Sequence, residues 1–195
     1  MRKEEASLRA AKQEVRKRIL FARDLLSEEY RLECANALLD HLDVFGEVEG
    51  KTISGFLPIQ SEMDARPLMT ALKAKGARLC LPVVIDKTTL EFRAYENDSS
   101  LVDAGFGTKG PPKGSQVVQP DIMIVPLAAF DPHGGRIGYG AGHYDRAIAK
   151  LRAHGASPRI VGLGFAMQEV PHVPQDENDI ALDAILTHEG VIRPD

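Results

Sequence analysis

Cysteine is almost absent from the chain: Cys34 and Cys80 are its only two among 195 residues, and they form no CxxC pair. No disulfide and no dithiol motif is implied. Cys34 lies in a helical pattern and Cys80 in a strand pattern, so both read as small buried hydrophobes. Long apolar runs are also missing. The longest, Ile122 to Phe130, is too short to cross a bilayer and contains Pro126. The opening MRKEEASLRAAKQEVRKR lacks the apolar core of a signal peptide, which makes the cytoplasm the expected compartment and a membrane an unexpected partner. There is no excess of basic charge. A net charge of −4 gives no general attraction to nucleic acid or acidic lipid. GxSxG and HExxH do not occur, and the six histidines are dispersed, so no side-chain nucleophile or histidine metal site is evident.

What is present is a soluble mixture of 44% hydrophobic and 27% charged residues, long enough to bury a real core as one domain over 1–195. Leu8, Ala11, Val15, Ile19, Ala22 and Leu26 step by three or four and predict an amphipathic first helix, with Lys12 and Arg16 one turn apart on its other face. Ser27 before Glu28 and Glu29 predicts the cap of a second helix, carrying Leu32, Ala35, Leu38, Leu39 and Leu42 on its buried side. TISGFL (52–57) predicts a strand closed by Pro58, and Asp64 with Pro67 the start of a third helix that Gly76 ends. RLCLPVVI (78–85) predicts a strand interrupted by Pro82. LEFRAY (90–95) predicts a half-exposed strand with Glu91, Arg93 and Tyr95 outward. Residues 97–119 read as a loop able to form a flap. Further strands are predicted at 121–125, 159–165 and 184–186. Strands alternating with helices after an initial helical pair predict a three-layer α/β/α domain with a largely parallel sheet.

The stretch with the most chemistry is VPLAAFDPHGGRIGYGAGHYDR (125–146). A buried strand ends at Pro126, Asp131-Pro132 opens a turn, and five glycines fall between Gly134 and Gly142. A helical pattern starts at His143. Strand, glycine-rich turn and helix start are what a phosphate site requires, because main-chain N–H groups must approach the anion without side chains in the way. The spacing is neither GxxxxGK[ST], since Ala141 follows Gly140, nor GxGxxG, since the glycines run Gly138, Gly140, Gly142. Arg193 is the only Lys or Arg after Phe165, and seven acids share that tail. A basic helix and an acidic tail can thus approach a magnesium nucleotide from opposite sides.

FDPHGGRIGYGAGHYDR resembles the signature of the 5-formyltetrahydrofolate cyclo-ligase family, also called 5,10-methenyltetrahydrofolate synthetases. The similarity covers nearly the whole chain. AKQEVR resembles the family's KxxxR, which implies that Lys12 and Arg16 contact nucleotide phosphates. GFLPIQSEMD resembles a folate-lining segment, placing Leu57 and Glu62 there, with Tyr139 and His143 also on the substrate side. Gly105-Phe106-Gly107 resembles the fragment before a flexible central loop. Arg136, Gly138, Gly140, Gly142, Tyr144 and Asp145 match the nucleotide loop. VGLGF with Gln168, and Asn178-Asp179, match later segments. The resemblance implies Mg²⁺ ligation by Asp145 and Asp179, stabilisation of the transferring phosphoryl by Arg136, and packing of Tyr144 on the pterin or formyl end. It also implies a NagB/RpiA/CoA transferase-like fold and a monomer. His143 stands where the family has the first of two tyrosines. Ala141, Leu127, Val83 and Gly110 are further departures.

The implied reaction uses ATP and Mg²⁺ to convert 5-formyltetrahydrofolate, with or without a polyglutamate tail, to 5,10-methenyltetrahydrofolate, ADP and phosphate. Phosphorylation of the formyl oxygen makes it a leaving group, and such transfer is catalysed by positioning and charge neutralisation. The alternative is a diverged, non-catalytic nucleotide- or folate-binding regulator on the same fold. A phosphosugar isomerase or acyl-CoA transferase relative rests on shared architecture alone.

Overall fold

The computed structural model describes residues 2–98, 101–105 and 108–195. Helix α1 (Arg2–Asp24) carries Glu4 and Glu5 in its first turn and Arg23 in its last, both favourable to the helix dipole. Ser27 accepts from Tyr30 N at 3.1 Å and caps α2 (Glu28–Ala37). The chain then tightens into a 3₁₀ stretch, Leu38–Phe45, ended by Gly46 at φ 64°. The predicted apolar seam holds only in part. Cys34, Ala35 and Leu38 are buried, whereas Leu32 is 59% and Leu39 37% exposed.

Strands β1 (Thr52–Ser54), β2 (Arg78–Val84), β3 (Leu90–Tyr95), β6 (Ile122–Pro126), β9 (Arg159–Leu163), β10 (Ala184–Thr187) and β11 (Gly190–Ile192) form one sheet in the order β11-β10-β9-β6-β1-β2-β3. The central pairs are parallel; β2 with β3 and β10 with β11 are antiparallel edges. Period-two alternation puts Ile122 and Ile124 against one layer, α2, the 3₁₀ stretch and α3 (Arg66–Ala74). Met123 and Val125 face the other layer, where Ile148 and Leu151 of α4 (His143–Ala153) pack. The expected three layers and largely parallel sheet are therefore present.

Several local expectations are corrected. Pro82 does not interrupt β2: it pairs with Phe92 of β3, while the ladder to β1 ends at Cys80, so its missing N–H breaks nothing on that side. Arg93 is buried rather than outward, because residues 116–118 close over the edge of β3 through Ala94 N to Gln116 O (2.8 Å) and Val118 N to Phe92 O (2.9 Å). The region predicted as a bare loop holds a hairpin, β4 (Val102–Gly105) with β5 (Thr108–Gly110). Phe106 and Gly107, of the Gly105-Phe106-Gly107 resemblance, lie outside the described residues. Among the described residues no helix is long and apolar enough to cross a membrane.

The connections fix where a ligand can sit. From β1 the chain crosses by α3 to β2 in one direction; from β6 it crosses by α4 to β9 in the other. The sheet reverses its winding between β1 and β6, and open α/β sheets bind ligands at the carboxyl ends of strands at such a switch point. The two loops that leave this point are 55–65 and 127–142.

Candidate active site

The loop after β6 is built around a buried carboxylate. Asp131 Oδ1 accepts from His133 N (3.0 Å) and Gly135 N (2.9 Å), and Oδ2 accepts from Val173 N (2.8 Å). This tight turn allows β7 (Ala129–Phe130) to pair with β8 (Arg136–Ile137) and so presents Arg136. A Cβ on Gly135 would sit 2.7 Å from Asp131 Oδ2 and 3.0 Å from its Cγ, so a side chain there would displace the carboxylate that organises the turn. Gln168 Nε2 holds the carbonyls of Leu127 (2.6 Å) and Ala128 (3.0 Å), steadying the same connection. Asp131→Ala would leave two buried N–H groups, those of Gly135 and Val173, and the part-buried one of His133 without their acceptor. The expected loss is about 3 kcal/mol of stability, read as a lower midpoint in denaturant at unchanged slope.

Beyond β8 the loop opens into the cleft. Gly140 (φ +98°) and Gly142 (φ +64°) occupy conformations that side chains rarely adopt, and Gly142 leads into α4 with no side chain capping its N-terminus. The first-turn N–H groups of α4 have no intrahelical acceptor and suit an anion. Arg16 lies across this loop: its Nε donates to Gly138 O at 2.7 Å, and its guanidinium would be 3.3 Å from a Cβ at Gly140. The face of α1 that carries Lys12 and Arg16 is therefore turned towards the protein, flanking Val15 and Ile19, which corrects the expectation of an opposite face.

Two of these cations meet acids, Lys12 in the segment near the carboxyl end of the chain and Arg136 at the start of α4. Lys12 Nζ donates to Asp176 Oδ2 at 3.3 Å and to Asp179 Oδ2. Arg136, 7% exposed, donates to Asp145 Oδ1 at 2.5 Å and to Ile180 O. Desolvation lowers the Arg136 pKa against the opposing pull of Asp145 and Asp179. Asp145 and Asp179 offer hard carboxylate oxygens, the donor type that Mg²⁺ takes alongside phosphate oxygens and water. Among the described residues no group of three or more His, Cys, Asp or Glu gathers to hold an ion by itself.

The other end of the cleft is drier. Glu62, 7% exposed, accepts from Ile59 N at 2.8 Å, and burial raises its pKa against the N–H bond, the Tyr139 hydroxyl and the charge of Arg23. Burial and the Glu62 charge together push the phenols of Tyr139 and Tyr144 upward. Leu57 and His143 line the same wall, and the Nε2 of His143 is buried without a partner. The whole cleft measures about 1370 Å³. Lys12, Arg16, Leu57, Glu62, Arg136, Gly138, Tyr139, Gly140, Gly142, His143, Tyr144, Asp145 and Asp179 all line it, so residues far apart in the chain share one cavity.

Sequence reading missed Asp176 on the wall of this cleft, and Arg23 and Ser61 behind it, where Arg23 bonds both Ser61 and the lining Tyr139. Arg23 had a signal: it lies seven residues after Arg16, two helical turns further along the same stripe. Its place in the predicted seam, between Ala22 and Leu26, hid it.

The model of the 5-formyltetrahydrofolate cyclo-ligase family matches residues 8–188. The chain belongs to that family. The Escherichia coli 5-formyltetrahydrofolate cyclo-ligase is 34% identical over 146 residues, which span 72% of this chain and 79% of the relative. The Mycolicibacterium smegmatis enzyme of the same name is 28% identical, with 91% of this chain and 93% of the relative covered. Among solved structures, the Aquifex aeolicus 5,10-methenyltetrahydrofolate synthetase aligns with a TM-score of 0.77 at 29% identity, covering 93% of this chain and 92% of that one. The fold of the cyclo-ligase family is thus shared from α1 to the last strands.

Proposed function

We propose that this cyclo-ligase family member uses ATP and Mg²⁺ to convert 5-formyltetrahydrofolate to 5,10-methenyltetrahydrofolate, ADP and phosphate, as a single-domain monomer. The observation that carries the reading is the two-ended cleft at the switch point. Main-chain amides, Lys12, Arg16 and Arg136 gather at one end, and the buried Glu62 with two tyrosines at the other.

In the proposed mechanism the triphosphate lies along Gly138 to Gly142 and the first turn of α4, with Lys12 and Arg16 on its oxygens. The pterin lies against Leu57, Tyr139 and His143, with the Glu62 carboxylate accepting from its N–H groups. This places the formyl oxygen towards the γ-phosphorus. That oxygen attacks phosphorus as the bond to ADP breaks, and Arg136 neutralises charge on the transferring group. Nitrogen 10 then attacks the formyl carbon, the carbon–oxygen bond breaks, phosphate departs, and the proton of nitrogen 10 goes to water. Tyr144 excludes water from the formyl end. Asp145 and Asp179 would hold the Mg²⁺, whose contribution is neutralisation of phosphate charge. The carboxylates now paired with Lys12 would release it to the nucleotide, while Arg136 stays held by Asp145 Oδ1 and the carbonyl of Ile180. Several relatives named as cyclo-ligases match most of the chain, which does not favour the non-catalytic regulator.

Appearance of methenyl product by absorbance, with purified protein, ATP, Mg²⁺ and 5-formyltetrahydrofolate, tests the reading; ATP-independent folate binding without ADP release would overturn it. Lys12→Ala is expected to raise the KM for ATP about tenfold, the value of one charge-assisted hydrogen bond, with the KM for folate little changed. Equal rises in both constants would remove Lys12 from the nucleotide end.

A further inference from the structure

The most deeply buried cation among the described residues is used by none of the roles above. Arg23 is 1% exposed, near the end of α1, beneath the wall that separates the helix from the cleft. Its Nε donates to Ser61 Oγ at 3.0 Å, its Nη2 to Tyr139 Oη at 2.8 Å, and its Nη1 reaches Leu127 O at 3.5 Å. Its guanidinium carbon lies 5.8 Å from the centre of the Tyr139 ring. Ser61 in turn donates to Asp24. A guanidinium taken out of water is costly, and filling space at this helix position needs only an apolar side chain. The contacts point elsewhere, to the two loops that leave the switch point.

We propose that Arg23 is a positioning residue for the folate end of the cleft: by donating to the Tyr139 oxygen it turns the tyrosine's own proton onto Glu62 and keeps that carboxylate an ionised acceptor for the N–H edge of a pterin. This rests on the proposed ligase reading for the identity of the ring. A phenol oxygen that already accepts from a guanidinium offers its proton to the nearest remaining acceptor, and Tyr139 faces the Glu62 carboxylate. The groups facing Glu62 are Arg23 from α1, Tyr139 from the glycine loop, Tyr144 from α4 and the Ile59 N–H of its own loop. Of these, only Arg23 carries positive charge. Ser61, held by Arg23 next to Glu62 in sequence, ties the second loop to the same guanidinium.

The test follows folate affinity against pH. Burial raises the Glu62 pKa, so affinity falls as pH drops through that raised value and the carboxyl takes a proton. Without Arg23 the ionised form loses support and the fall moves to higher pH. Arg23→Met is expected to raise the KM for 5-formyltetrahydrofolate about tenfold, and to move the acid limb of kcat/KM for folate up by about one pH unit. The KM for ATP should stay within about twofold of the parent, since no nucleotide group is touched. Arg23→Lys, which restores the charge but not the fork of donors, should return the limb most of the way and the KM only in part. Tyr139→Phe serves where Arg23→Met fails to fold, because that ring is 37% exposed and its loss of a hydroxyl leaves the core intact; it should move the limb in the same direction. A role confined to packing would lower the thermal midpoint and leave the limb in place. An unmoved limb in folded Arg23→Met or Tyr139→Phe, or a matching rise in the KM for ATP, overturns the assignment. Parent protein that neither binds folate by calorimetry nor forms methenyl product would instead overturn the ligase reading itself.

Discussion

Arg136→Met is expected to lower kcat by about a thousandfold, the scale of removing a preorganised cationic donor from a phosphoryl-transfer site. The basis is geometric. Arg136 leaves β8 at the mouth of the glycine loop, is almost fully buried, and is pinned by Asp145 from α4 and by the carbonyl of Ile180. A donor held this way has little reorganisation to undergo when charge develops on the transferring group. Arg136→Lys keeps one charge but loses the fork that spans Asp145 and Ile180, so its kcat should recover by no more than about tenfold. Both variants should retain measurable folate binding by calorimetry, because Glu62 and Tyr139 lie at the other end. Retention of more than a tenth of the parent kcat in Arg136→Met would assign the charge stabilisation to another group.

Glu62→Ala carries the second large effect, on the substrate side. The carboxylate is buried, bonded to Ile59 N, and faced by Tyr139. Its removal should raise the KM for 5-formyltetrahydrofolate about a hundredfold, the upper end for loss of charged hydrogen bonds in a site closed to water, with the KM for ATP little changed. Glu62→Gln separates charge from shape. Its amide cannot titrate, so the acid limb of kcat/KM for folate should vanish, leaving a weak but flatter profile. A hundredfold rise in the KM for ATP from Glu62→Ala, or an unchanged acid limb in Glu62→Gln, would contradict the placement of folate at this end.

The legible parts of the site are those with a local signature. Gly138, Gly140 and Gly142 followed by a helix start announce main-chain amides close to an anion, and positive φ at Gly140 and Gly142 supplies the reason for glycine there. Lys12 and Arg16 are a turn apart, so their joint action needs only a helix. The outward reading of Arg93 fails, and Arg23 escapes notice, for a common reason. Alternation and helical period say which positions share a face, but not whether another segment later covers it. Residues 116–118 cover Arg93, and the loops bearing Ser61 and Tyr139 cover Arg23. The hairpin of β4 and β5 is not legible in the sequence because its strands are too short to establish an alternating pattern.

By itself the amino-acid sequence determined the α/β class, the glycine-rich turn between strand and helix, the cations of α1 and the family to which they belong. These are matters of spacing within about twenty residues, which helix pitch and strand alternation translate directly into geometry. Only the tertiary structure decided that the loops after β1 and β6 meet at one switch point, that the acids of 176–180 hold Lys12 and close on Arg136, and that Arg23 stands behind Tyr139 and Glu62. Those contacts join residues from opposite ends of the chain, and they arise from the order in which strands enter the sheet, which no local period encodes.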